Sequence, residues 1–221
     1  VIHKIQGKIE RDSLVVFIPP EIFPSPRAIS WAVYGGGISV PRYVVNHTIA
    51  KNTWVEDSRT YAKSVASKLL LPADKTIVMM TSVKQRFAGY AECWHGGLSV
   101  QTFATVGLGN SLAAGDPASG SSQPGTINLI VPVAATLTDE ALIECVAIAT
   151  EAKLAFLFEH DIKSVISKRP ATGTGTDCIT IVSLGIGEKL SYAGKHTKLG
   201  ELVGRAVASA MDDSLRKRFS H

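Results

Sequence analysis

Over the first half of the chain, polar and apolar residues alternate or fall in short apolar blocks, the period-two spacing of strands. Residues 3–10 and 13–18 predict a hairpin, stopped by Pro19 and Pro20, and further strand-like runs cover 28–34, 44–49, 76–80, 86–94 and 100–106. Among them, Tyr61, Val65 and Leu69 recur every four residues, which predicts a helix with Asp57 or Ser58 as its N-cap. The second half is more sharply patterned. Residues 126–133 form a strand, and Thr138 caps a helix carrying Asp139 and Glu140 in its first turn, where the helix dipole favours negative charge. That helix runs to about residue 159, residues 178–184 form another strand, and a last helix spans 198 to about 216. Strands mixed with a few long helices predict an α/β (α+β layered) fold. The only Gly/Ser/Pro-rich stretch, AGDPASGSSQP at 114–124, is too short to link domains, so a single domain over 1–221 is expected.

The helical pattern exposes the first candidate for chemistry. At about 100° per residue, Leu142, Val146, Ala149, Lys153 and Phe156 share one stripe of the long helix, whereas Glu140, Glu144, Ala147 and Glu151 share the opposite one. Lys153 is thus a cation in an apolar face. It either meets a carboxylate or a ligand anion, or carries its ammonium to the edge of the core. By the same geometry Glu151 belongs to the solvated face.

Two loops add further candidates. In PATGTGTD (170–177), Gly173 and Gly175 alternate with Thr172, Thr174 and Thr176 and end on Asp177. Backbone N–H groups and hydroxyls at such a turn suit an oxyanion, although a purely structural turn has the same composition. In YAGKHTKLG (192–200), Thr197 is the expected N-cap of the last helix, and His196 would sit at its positive end, which favours the neutral imidazole a general base needs. An ordinary surface histidine fits there too. Asn46, Asn110 and Asn128 stand in or beside apolar strands and need hydrogen-bond partners, from backbone or from ligand. His47 and His95 lie in no metal-ligand spacing, so no metal site is expected, and no GxSxG marks an esterase elbow.

Composition narrows the class. The 221 residues are 45% apolar and 19% charged, enough for a packed core, and no apolar run approaches the ~20 residues of a membrane span. Net charge is +4, with Lys and Arg scattered except at Arg216, Lys217 and Arg218, which argues against nucleic acid as a partner. Cys93, Cys145 and Cys178 are odd in number and widely spaced, so reduced thiols in a cytoplasmic protein are expected. The N-terminal residues lack the pattern of a secretory signal. Gly200, Gly204 and Ala208 form a small-residue stripe suited to close packing or to homo-oligomer contact.

Taken in order, GTIN (125–128), TEAK (150–153), ATGTGTD (171–177) and the 192–200 run resemble the adenosylcobinamide amidohydrolases. The upstream YGGG (34–37), VN (45–46), MMTS (79–82) and GLGNSLAAGD (107–116) extend that similarity over most of the chain beyond about residue 28. Val106 and Ser111 depart locally from the pattern. The resemblance, to a family known mainly from archaea, implies a hydrolase of corrinoid salvage. It implies cleavage of the amide joining the aminopropanol arm to the corrin ring of adenosylcobinamide, giving adenosylcobyric acid and 1-amino-2-propanol. No cofactor is implied, since the cobalt belongs to the substrate.

On that basis His196 is expected as base and acid, oriented by Asp177, while Thr174, Gly175 and Thr176 donate to an oxyanion or one threonine is the nucleophile. Lys153 would stabilise negative charge with Glu151 as its partner or as a water activator, a role that helix geometry opposes. Asn46, Asn110 and Asn128 would hold the peripheral amides of the corrin. The strand–helix–loop–strand succession also suggests two sheets sandwiched between helices, faintly similar to self-processing aminopeptidases and ornithine acyltransferases. Two alternatives stay open: a corrinoid carrier without catalysis, and an autoprocessed Thr/Ser amidase or acyltransferase.

Overall fold

The computed structural model describes residues 4–50, 53, 56–118 and 125–219. His3, where the first strand was expected to start, and 119–124 of the Gly/Ser/Pro-rich loop lie outside them. The strands are β1 (Gly7–Glu10), β2 (Ser13–Phe17), β3 (Arg27–Ser30), β4 (Gly37–Ser39), β5 (Tyr43–Thr48), β6 (Thr76–Thr81), β7 (Gly89–His95) and β8 (Leu98–Val106). They continue with β9 (Ser111–Leu112), β10 (Ile127–Val133), β11 (Thr136–Leu137), β12 (Gly173–Thr174), β13 (Cys178–Ser183) and β14 (Lys189–Leu190). Among the described residues, three α-helices complete the fold: α1 (Ser58–Lys68), α2 (Asp139–Glu159) and α3 (Lys198–Phe219).

Each helix begins where its cap dictates. Asp57 accepts from the amides of Arg59 and Thr60, Thr138 from Ala141, and Thr197 Oγ1 from Gly200 at 3.0 Å. α2 spans the predicted residues and buries Leu142, Ala149, Lys153 and Phe156 along one side.

A four-stranded sheet, β1-β2-β5-β6, faces a six-stranded sheet ordered β4-β3-β13-β10-β8-β7. Strand alternation sorts the side chains into layers. In β10, Ile127, Leu129, Val131 and Val133 join the core beneath α2 and α3, whereas Ile130 points the other way, into the core between the sheets. In β5, Val44 enters that inter-sheet core and Val45 packs under α1 with Val78, Ala62 and Val65. The layers are therefore helix, sheet, sheet, helix pair, which is the expected sandwich. Among the described residues no helix is long and apolar enough to cross a membrane.

β10 and β13 run parallel, with Asn128 opposite Cys178 and Leu129 opposite Ile179. Carried back two residues, that register sets Thr126 beside Thr176 at the end of the sandwich. The small pair β9–β12 brings residues 111–112 against Gly173 and Thr174 at the same end.

Candidate active site

A cleft of about 1250 Å³ opens at this end. The 172–178 turn, Gly125 and Thr126, Asn110, and Lys153 line it together with Trp31, Met80 and Leu112. Of the predicted residues, Lys153, Asp177, Thr174, Thr176, Gly173, Gly175 and Asn110 meet here, brought from α2, the β12–β13 turn and the loop before β9.

The centre is an ion pair. Lys153 Nζ donates to Asp177 Oδ2 at 2.5 Å, and each side chain is 8% exposed. Burying two charges is costly unless their remaining valences are met. The carboxylate meets its own: Oδ2 also accepts from the Thr174 amide at 3.0 Å, and Oδ1 accepts from Thr174 Oγ1 at 2.5 Å and from the Ile127 amide at 3.0 Å. Asp177 thus ties the turn to both α2 and β10. A Cβ at 173 would sit 2.5 Å from Asp177 Oδ2 and 2.9 Å from Lys153 Nζ, so a side chain there would displace the ion pair. Trp31 closes the rim, with Nε1 donating to the Asp177 carbonyl at 2.6 Å and its ring 49% exposed.

Beside the ion pair, the Thr126 and Thr176 hydroxyls lie 2.7 Å apart, and Thr176 Oγ1 also donates to the Gly125 carbonyl at 3.2 Å. Asn110 is buried against this pair of loops. A Cβ on Gly125 would meet Asn110 Oδ1 at 2.7 Å, and one on Gly175 would meet Nδ2 at 3.1 Å. Asn110 Oδ1 has no partner among the described residues. Thr126 is the residue that sequence reasoning missed. GTIN reads as the start of a strand, and only the parallel register with β13 shows its hydroxyl reaching Thr176.

Four expected residues stand elsewhere. His196 is exposed at the N-terminus of α3 and does not line the cleft, so the His196–Asp177 pairing is not formed: Asp177 is occupied by Lys153 and Thr174. Glu151 lies on the outer face of α2 and pairs with Lys195 at 2.5 Å, two residues round the helix from Lys153, so it is not the lysine's partner. Asn46 and Asn128 lie between the sheets, not in the cleft. Asn128 Nδ2 donates to Asn46 Oδ1 at 2.8 Å and to the Met80 carbonyl at 2.9 Å, and Asn46 Nδ2 donates to Thr105 Oγ1 at 2.9 Å.

Cys178 also borders the cleft, but burial pushes its thiol up to about 12, which keeps it protonated and a poor nucleophile near neutral pH. Among the described residues no three His, Cys, Asp or Glu side chains group as a metal site.

Comparison with known proteins supplies the chemistry that this geometry leaves open. A Halobacterium salinarum protein named adenosylcobinamide amidohydrolase is 30% identical over 205 residues, covering 88% of this chain and 82% of its own. An uncharacterized protein of Methanocaldococcus jannaschii is 30% identical over 206 residues, covering 82% of this chain and 80% of its own. In fold, the chain is similar to a Burkholderia sp. beta-aminopeptidase, with a TM-score of 0.51 at 13% identity over 93% of this chain and 78% of that one. The adenosylcobinamide amidohydrolase family profile matches residues 3–221, so this chain, an amidohydrolase, belongs to that family.

Proposed function

We propose that this protein hydrolyses the amide between the aminopropanol arm and the corrin ring of adenosylcobinamide, releasing adenosylcobyric acid and 1-amino-2-propanol. The observation that carries this reading is a buried ammonium at the floor of a cleft larger than ordinary small-molecule pockets, which hold roughly 300–1,000 Å³. A corrin needs that room. It also needs apolar surface for the macrocycle, which Trp31, Met80 and Leu112 offer, and polar groups for its rim of amides, which Asn110 and Thr172 offer.

Attack on the scissile carbonyl puts negative charge on its oxygen. Lys153 supplies a fixed positive charge, and the Gly175 and Thr176 amides, used neither in the β9–β12 ladder nor in holding Asp177, supply donors. Asp177 holds Lys153 in place, and Gly173 leaves the ammonium uncovered. The cobalt arrives with the substrate, and the enzyme works as a single cytoplasmic domain without a cofactor of its own.

The test is release of 1-amino-2-propanol from adenosylcobinamide by the purified protein, followed by mass spectrometry. Product formation supports the reading. Tight binding without release identifies a corrinoid carrier instead, and neither binding nor release removes the corrinoid assignment altogether. Two fragments of the chain on a denaturing gel would favour the autoprocessed alternative.

A further inference from the structure

We propose that the Thr126 hydroxyl is the nucleophile, so that hydrolysis passes through an ester on Thr126 and the chain also transfers the corrinoid acyl group to small amines. This inference rests on the amidohydrolase reading above and adds an intermediate and an activity to it.

The Thr126 and Thr176 hydroxyls lie 2.7 Å apart at the cleft. Thr176 Oγ1 donates its proton to the Gly125 carbonyl, so within the pair Thr176 accepts and Thr126 donates. The donor oxygen keeps both lone pairs free, while its proton already points at an acceptor, which is the arrangement an attacking hydroxyl requires. Thr174 Oγ1 also donates, but to the Asp177 carboxylate, which already accepts from Lys153 and from the Thr174 and Ile127 amides and has no onward path for a proton to a leaving group. Thr126 itself is 6% exposed at the cleft wall, fixed by β10 on one side and by its neighbour Ile127, whose amide donates to Asp177. Thr176 is exposed in the cleft lining, open to a leaving group bound beside Thr126.

An oxyanion formed beside Thr126 finds its donors on the same loops. Asn110 is 7% exposed and wedged between Gly125 and Gly175, with Nδ2 on the Gly175 side. Together with the Gly175 and Thr176 amides it offers N–H groups at the place where charge develops.

Atoms balance as follows. The Thr126 Oγ–carbonyl bond forms and the carbon–nitrogen bond breaks. The Thr126 proton moves to Thr176 as the Thr176 proton passes to the nitrogen, which departs as 1-amino-2-propanol. Water then adds to the ester, Thr126 Oγ is expelled, and the proton returns along the same pair, leaving the carboxylic acid. A primary amine or hydroxylamine in place of water gives a new amide or a hydroxamate.

The experiment supplies wild-type protein with adenosylcobinamide and hydroxylamine, and pairs this with acid-quenched peptide mapping. Expected are a corrinoid hydroxamate alongside the acid, and an acylated peptide containing Thr126. Thr126→Val, which keeps the side-chain shape, should lose at least ~100-fold in product release while still binding adenosylcobinamide, and Thr126→Ser should stay within about tenfold. Aminopropanol release with no hydroxamate and no acyl peptide, or Thr126→Val within about threefold of wild type, overturns the ester and leaves the amidohydrolase reading standing. A wild-type protein that releases no aminopropanol overturns both.

Discussion

A lysine in the apolar stripe of a helix is a contradiction that the sequence displays openly, and the structure resolves it with a carboxylate 24 positions along the chain. Removing the ammonium by Lys153→Ala leaves Asp177 buried with only its neutral donors. Breaking a buried pair in this way costs about 3–5 kcal/mol, so the urea midpoint should fall. If Lys153 also stabilises the oxyanion, product release at a temperature where the variant is folded should fall by ~100-fold or more. His196→Ala is the contrasting variant: exposed and outside the cleft, it should stay within about threefold of wild type in both rate and stability. Cys178→Ser should likewise retain activity. The thiols of Cys178 and Cys145, both pushed up to about 12 by burial, should react with Ellman's reagent more slowly than Cys93 in the native protein.

At the scale of elements, what was legible had a local cause. The Asp57, Thr138 and Thr197 caps are written beside the helices they start, and the four-residue recurrence of apolar positions fixes the buried face of α2. The short strands β4, β9, β12 and β14 carry too few residues for alternation to show, and exist because loops meet across the fold. The clip on the loop after β9 is such a meeting. Asp116 accepts from Ser164 Oγ at 2.5 Å, the Ala113 amide at 2.8 Å and Arg169 at 2.9 Å. These bonds, the Ser164 hydroxyl foremost, hold its carboxyl well below the usual carboxylate range. A depressed folded pKa gives stability that is complete above the unfolded value of about 3.9 and is lost as pH falls below it. Asp116→Asn should therefore flatten the acid limb of the stability–pH curve below about pH 4, measured by denaturant titration. Gly89 sets another long-range constraint: a Cβ there would collide with the Ala210 carbonyl and the Ser214 amide of α3, a demand no local pattern announces.

Across the whole molecule, the two sheets are joined by polar as well as apolar contacts, and this decides what Asn46 and Asn128 do. An asparagine in an apolar strand states only that a partner is needed. Whether the partner is a ligand or another strand depends on which sheet faces which, and that follows from the β5–β6 and β10–β13 registers, not from either asparagine's neighbours. Here each is 2% exposed or less, and the Thr105–Asn46–Asn128–Met80 chain crosses from one sheet to the other beneath the cleft. A corrin-binding role and a sheet-joining role differ in what they move. If Asn46 held a peripheral amide, Asn46→Ala would raise KM and leave unfolding unchanged. Joined as it is, its loss strands the Thr105 hydroxyl and one Asn128 donor in the inter-sheet core, at about 1–3 kcal/mol for buried groups left without partners. Asn46→Ala should therefore lower the unfolding midpoint while KM for adenosylcobinamide stays within about twofold, and Asn110→Ala should do the reverse, changing kinetics more than stability.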